Sequence, residues 1–503
     1  MKPLQKILIV GGGTAGWIAA SMIAKQLQKQ DGNPSAVQIE LVESEEIGTI
    51  GVGESTIPPF LEMLKNLEIN EQEFIKYAQA SFKLGIQFTD WRVKGESYFH
   101  PFGTITAGMT EYTFYQTWLK SFHQGDDFAL QDFSPCNVMA KNGRFYLPQL
   151  AEKTAIGEAR YALHLDAKLV AEYLRKYAEA MGVKRTEGKV MQVVQRDDGA
   201  IAKVVLRSGE EIEADFFIDC SGFHALLIEK TLGSSYCDWT HYLPCDRAVA
   251  VQTENIGDTT PYTRATARDH GWTWRIPLQR RTGNGYVYSS QFCSDDEAIN
   301  TLLSVVDGKP LIEPRVIPFK TGVRKEIWKK NCLAIGLASG FIEPLESTAI
   351  HLVVRGVIHF MRNFPDQDCE PALIHQYNRR MTMEYEEIRD FIVLHYCLTE
   401  REDTPFWRWC KNMELPPSLQ EMIDYFNVQG GLPEMIDALF QPINWRSVCE
   451  GMGLRPKKYS PILIGDDYSV ARKNLLAYRE VLETFINKLP THDQFIRDNC
   501  SAY

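Results

Sequence analysis

The sequence predicts an α/β fold that begins with a Rossmann-like βαβ dinucleotide-binding unit, continues through a β-rich region and ends in a helical C-terminal region. Three observations predict it. The apolar, β-branched run Ile7-Leu8-Ile9-Val10 stops directly at a glycine cluster, the mark of a strand entering a tight turn. Residues 248–251, 272–276 and 286–289 are rich in strand formers. From about Pro371 onward helix formers dominate, with Glu386-Glu387-Ile388-Arg389 in the middle of a helix expected over 379–398.

The first unit is the most sharply defined. Residues 6–10 form the first strand, Gly11-Gly12-Gly13-Thr14-Ala15-Gly16 the turn, residues 17–29 a helix and residues 37–42 the second strand, which ends at Glu43. In the pattern Gly11-x-Gly13-x-x-Gly16 the first glycine permits the turn, the second admits a pyrophosphate to the backbone and the third lets helix and strand approach. The turn Thr14-Ala15-Gly16 then faces the phosphates with free N–H groups. Glu43 is placed to hold ribose hydroxyls. It lies further along than the usual ~20 residues, and the polar stretch 30–35 accounts for the excess.

Two later stretches, 212–219 and 332–336, read as further strands ending in small residues, each with a helix after it, so the sheet is assembled from distant segments. The β-rich stretch lies between them, with Asn284-Gly285 as a turn signal. The expected organisation is a discontinuous cofactor-binding domain over 1–370, with the β-rich substrate region inserted, followed by a helical region over 371–503. Gly51-Val52-Gly53-Glu54-Ser55-Thr56 and Gly336-Leu337-Ala338-Ser339-Gly340 offer two more places where backbone can approach a large cofactor. They favour FAD, which spans a long groove, over a nicotinamide.

Composition excludes several classes. A chain of 503 residues with 44% hydrophobic and 24% charged residues has room for two to four domain-sized cores or one large two-part enzyme. A formal charge of -11, from 54 basic and 65 acidic residues, argues against nucleic acid as a partner. The 11 cysteines include no CxxC pair, so no zinc or other metal site is expected, and scattered thiols suit a reduced, cytoplasmic setting. The run 7–10 is too short for a signal sequence, and the apolar stretch 349–361 is cut by His351, Arg355 and His359, so no membrane span is expected.

At this point the chain resembles the flavin-dependent halogenases known as tryptophan halogenases. The likeness rests on the glycine turn with Trp17, on 51–56, on Phe82-Lys83-Leu84-Gly85-Ile86 with Trp91, and on His100-Pro101-Phe102-Gly103. It continues through His164-Leu165-Asp166-Ala167, 217–223 and Leu243-Pro244-Cys245-Asp246-Arg247. The most specific matches are Trp272-x-Trp274-x-Ile276-Pro277 and Pro344-Leu345-Glu346-Ser347-Thr348.

The resemblance implies a flavin-monooxygenase type of FAD domain and an enzyme in which FADH2, oxygen and chloride or bromide yield hypohalous acid. That acid then travels to a separate site and halogenates an indole-type aromatic. It implies that Lys83 holds the oxidant and that Glu346 stabilises the cationic ring or takes its proton. Gly11, Gly13, Thr14, Ala15, Gly16, Glu43, Val190, Leu337 and Ile350 are the expected cofactor contacts, Thr348 and Ala349 the halide contacts, and His100 and Phe102 the residues flanking the aromatic ring. Trp272 and Trp274 alternate along a strand and share one face; in the family they stand near the flavin tunnel. Characterised members often carry Gly at the position of Ala349, so the halide preference stays open. The residues that grip a free amino acid have no match in 444–453, although Trp445 offers a ring contact, which leaves indole, tryptophan and related aromatics open as substrates. A separate flavin reductase is the expected partner and a homodimer the family's common state. A flavin-dependent aromatic monooxygenase and a non-catalytic flavin-binding protein are the alternative readings.

Overall fold

The computed structural model describes residues 2–28, 37–46, 54–435, 437–465 and 467–503. The polar stretch 30–35 and the glycines of 51–53 lie outside the described residues.

Strand β1 (Lys6–Val10), helix α1 (Thr14–Leu27) and strand β2 (Gln38–Glu43) form the expected βαβ unit. Among the described residues its sheet has six strands, in the order Trp328–Lys329, Cys332–Ala334, Phe216–Asp219, β1, β2 and Lys184–Glu187. All neighbours are parallel except the first pair. Ile7, Leu8, Ile9 and Val10 are all buried, as expected of a parallel strand covered on both faces. Helices Ala167–Ala180 and Ala349–Arg362 pack against α1.

A second sheet of seven strands runs in the order Arg315–Pro318, Arg247–Thr253, Thr282–Tyr288, Gly271–Pro277, Thr263–Arg268, Gly85–Thr89 and Ser97–Pro101. It contains the three expected strand regions and draws two strands from early in the chain. A small third sheet pairs Ala162–Leu165 with Glu54–Ser55 on one side and Ser81–Lys83 on the other. From Pro371 the chain is helical, starting with the long helix Pro371–Cys397. Among the described residues no helix is long and apolar enough to cross a membrane, no cluster of metal-ligating side chains forms and the cysteines are unpaired.

Three local expectations fail for physical reasons. The stretch 212–219 is two strands, Glu211–Glu213 and Phe216–Asp219. Between them Asp215 accepts from the N–H groups of Gln5 and Lys6 at 2.7 and 2.9 Å, so this residue ties the chain to the start of β1 rather than extending a strand. The segments after Asp219 and Ala334 form short 3-10 turns, Gly222–His224 and Gly336–Ala338, instead of helices. Asn284-Gly285 is mid-strand, paired with Val251 and Ala250 on one side and Arg275 and Trp274 on the other. A Cβ on Gly285 would stand 2.1 Å from the Trp274 ring; the glycine makes room for an indole and turns nothing.

Candidate active site

The glycine turn is built as its spacing requires. Gly11 has φ +116°, and a Cβ there would meet the Cys220 carbonyl oxygen at 2.2 Å. A Cβ on Gly16 would meet the Gly11 oxygen at 1.9 Å. Gly13, by contrast, has no described residue within 4 Å of its Cβ position, and as N-cap of α1 it offers no side-chain acceptor. The first N–H groups of α1 therefore open onto unfilled space, which fits a pyrophosphate.

Glu43 ends β2 beneath Gly12. Arg185 pairs with its Oε1, while among the described residues Oε2 has only a long 3.4 Å contact from the Trp17 indole N–H, leaving an acceptor for a ribose hydroxyl. Gly188, whose N–H donates to the Glu43 carbonyl at 2.8 Å, precedes by two residues Val190, the first residue of strand Val190–Gln195. Gly336 adopts φ +69° and sits so close to α1 that a Cβ would stand 2.8 Å from that of Ala15; Leu337 follows in the same turn. Ile350 and Thr56 line one narrow cavity together with Phe60 and His351. The residues present fit an FAD, and these are the ones that would hold it.

Thr56 also belongs to a second centre. Lys83, at the end of Ser81–Lys83, is fully buried. Its Nζ donates to the Thr56 carbonyl and to Ser347 Oγ, both at 3.1 Å, and lies 5.1 Å from the centroid of the Phe102 ring. Burial pulls its pKa down to about 7, against the opposing charge of Glu346. An ammonium in this place is an available proton donor near neutrality.

Glu346 closes the 3-10 turn Pro344–Glu346 rather than opening the following helix, because Ser347 takes a left-handed conformation, φ 60° and ψ 36°. Thr348 is the N-cap and Ala349 the first helical residue. Thr348 is buried with its hydroxyl unpaired, whereas Ala349 is exposed. The carboxylate of Glu346, 1% exposed, lies 3.0 Å from His100 Nδ1 through both oxygens and 3.0 Å from His395 Nε2. Burial pushes its pKa up, but the two histidines, His100 first, outweigh this and hold it at about 2.

The sequence-predicted Lys83 and Phe102 meet through a ring contact and Glu346 and His100 through hydrogen bonds, with Ser347 between the two pairs and Thr348 next in the chain. His100 is more committed than a ring-stacking role alone requires: its Nε2 accepts from the Asn444 amide at 2.9 Å. Phe391 and Phe440, stacked at 3.8 Å, approach it at 5.5 and 6.5 Å, and Trp445 meets Phe391 edge-on at 4.9 Å. Sequence reasoning missed His395, Asn444, Phe391 and Phe440. His395, Phe391 and Asn444 lie in helices whose apolar periodicity reads as ordinary core, Phe440 lies in the bend just before Pro442–Gly451, and no spacing joins any of them to Glu346. Trp272 and Trp274 do share a face, with ring centroids 6.1 Å apart, and both indole N–H groups are buried, that of Trp272 beside the Glu343 carboxyl.

A family model for tryptophan halogenases matches residues 6–467. The chain belongs to the tryptophan halogenase family. A tryptophan 6-halogenase from Streptomyces toxytricini is 33% identical over 98% of this chain and 97% of its own length. A tryptophan 7-halogenase from Lentzea aerocolonigenes is 33% identical over 98% of both. The structure superposes on a flavin-dependent halogenase from Xanthomonas campestris with a TM-score of 0.94 at 41% identity, covering 100% of this chain and 99% of the other.

As a tryptophan halogenase the protein is an enzyme that uses FADH2 and chloride or bromide. Family members generally need a separate flavin reductase and an aromatic substrate. Thr56 is shared between the two centres, lining the cavity at Ile350 and accepting from the Lys83 ammonium.

Proposed function

We propose that the protein uses FADH2, O2 and chloride or bromide to halogenate a neutral indole-type aromatic, with indole preferred over free tryptophan. The observation that carries this is the burial of Lys83 and Glu346 around the single residue Ser347, which Lys83 contacts and Glu346 precedes. Bound reduced flavin would activate O2, and the oxygen would supply the two oxidising equivalents that convert halide to hypohalous acid.

The chain's own residues do the rest. Lys83 donates a hydrogen bond to the oxidant and fixes its approach to one ring carbon, which replaces a bimolecular encounter by a positioned one. Glu346, ionised and shielded from water, stabilises positive charge on the ring and accepts the departing proton. Phe102 and the face of His100 bound the ring. The orphaned Thr348 hydroxyl and the first N–H groups of Ala349–Arg362 suit a halide.

The preference for a neutral ring rests on the charged side chains of the C-terminal wall. Arg446 is held by Glu111 at 3.0 Å, and Glu450 is held by the Tyr115 hydroxyl and by Arg455, each at 2.9 Å. The Arg446 guanidinium is thus committed through Nη1 and the Glu450 carboxylate through both oxygens, and separating either from its partner leaves a charge buried. The test is mass spectrometry of products formed from indole and from tryptophan in parallel, with FAD, a flavin reductase, NADH, oxygen and bromide. Bromoindole in excess over bromotryptophan is expected. A product that gains one oxygen and no halogen overturns the reading in favour of the monooxygenase.

A further inference from the structure

The helix Pro371–Cys397 delivers to Glu346 a residue whose protonation the hydrogen bonds define. His395 is fully buried. Its Nδ1 lies 2.8 Å from the Phe391 carbonyl oxygen, one turn back; a carbonyl can only accept, so this nitrogen bears a proton. Its Nε2 lies 3.0 Å from Glu346 Oε1, off the line of an aligned hydrogen bond. A bare Nε2 would leave two electron-rich atoms 3.0 Å apart with no proton shared between them.

His100 reports which of the two partners is charged. The Gln441 N–H donates to Asn444 Oδ1 at 2.7 Å, so the other end of that amide is the NH2 group, and it donates to His100 Nε2. His100 therefore carries its proton on Nδ1 and presents it at 3.0 Å to both Glu346 oxygens. Two equivalent acceptors are the signature of a carboxylate. The His395 ring is also framed by Phe88, Phe391 and Trp91, with centroids at 4.8, 5.3 and 6.2 Å, which fixes its orientation toward Glu346.

We propose that His395 is a positioning residue that acts as an imidazolium, keeping the Glu346 carboxylate ionised and aimed at the aromatic substrate. The proposal rests on the role of Glu346 in halogenation. When the halogenated ring loses its proton, the C–H bond breaks, its electron pair restores the aromatic system and an O–H bond forms on Glu346. The neutral acid then stands beside a cation, which disfavours its persistence, and the proton passes to solvent as product leaves. The charged and titratable groups facing this pair are His100 from Ser97–Pro101, Lys83 from Ser81–Lys83 and Tyr98.

The test uses the full chain with His395→Gln, which keeps a neutral donor in place of the charged one. With indole and pre-reduced FAD in single turnovers, the rate constant falls about tenfold or more while the indole concentration dependence is unchanged, the pattern of an interaction made in the transition state. An acid limb absent from the wild type also appears, because Glu346 now protonates at higher pH. An unchanged rate and pH profile overturns the proposal, as does a uniform loss of rate and FAD binding without a new limb. Should the variant not fold, ¹⁵N-histidine NMR of the wild type decides: both ring nitrogens of His395 are protonated at the assay pH, and Glu346→Gln changes that signal. A bare ring nitrogen overturns the proposal. Failure of the wild type to halogenate any aromatic would overturn the reading of Glu346 itself, and the NMR result would distinguish the two.

Discussion

Lys83 Nζ stands 3.1 Å from Ser347 Oγ, and this contact joins the short strand Ser81–Lys83 to the turn that carries Glu346. Ser347 reaches it only because its backbone is left-handed, φ 60°, a conformation that carries a steric penalty outside glycine. The amine proposed to hold the oxidant and the carboxylate proposed to accept the proton are therefore set by one strained residue.

Removing the lysine is expected to separate activity from stability. The ordinary lysine pKa of 10.5 drops to about 7 on burial, so between those values the unfolded chain binds more protons than the folded one. Wild-type stability rises with pH across that window, and below about 7 the full cost is present. Lys83→Met removes the buried amine, and its melting temperature should exceed that of the wild type by a margin largest at or below pH 7. Thermal unfolding across pH 6–10 checks this.

The same shift fixes a pH profile. The ammonium form of Lys83 donates to the oxidant, so single-turnover halogenation should decline as pH rises through about 7, by roughly tenfold per unit once the amine is mostly neutral. Glu346, held near 2, is ionised throughout and contributes no acid limb above about pH 4. A rate that climbs through neutrality would contradict the donor role.

The three glycines of the first turn should respond differently to an added methyl. Gly11→Ala and Gly16→Ala place a Cβ within 2.2 Å of backbone oxygens and should prevent folding. Gly13→Ala meets no described residue within 4 Å, so the variant should fold normally yet bind FAD at least about tenfold more weakly, because the methyl occupies the space meant for the pyrophosphate. Circular dichroism and flavin fluorescence titration separate the outcomes.

Gly285 offers a test away from the reacting groups. Gly285→Val drives a branched side chain into the Trp274 ring and should cost about 1–3 kcal/mol as an overpacked site. Chemical denaturation measures it.

These positions show what the sequence could disclose. The glycine turn was legible because each glycine answers a local steric demand within a few residues, and the demand has one solution. Gly285 misled because a glycine beside Asn signals a turn locally, while the actual cause, the Trp274 ring, lies on the neighbouring strand. Glu346 was found through its motif, yet its place before the helix depends on the left-handed Ser347, which residue type does not announce. His395 was invisible: it sits four residues after Phe391 in a buried helix, and only the packing of Pro371–Cys397 against Glu346 gives it a partner.

The most direct measurement compares wild type and Lys83→Ala in single turnovers with pre-reduced FAD, oxygen, bromide and indole, with a diffusible thioether present as a trap for free hypobromous acid. The predicted result is bromoindole from the wild type, recognised by its bromine isotope pattern, and from Lys83→Ala an oxidised trap formed as fast as in the wild type with no bromoindole. Bromination of indole by Lys83→Ala at the wild-type rate would contradict the assignment of Lys83 as the residue that delivers the oxidant.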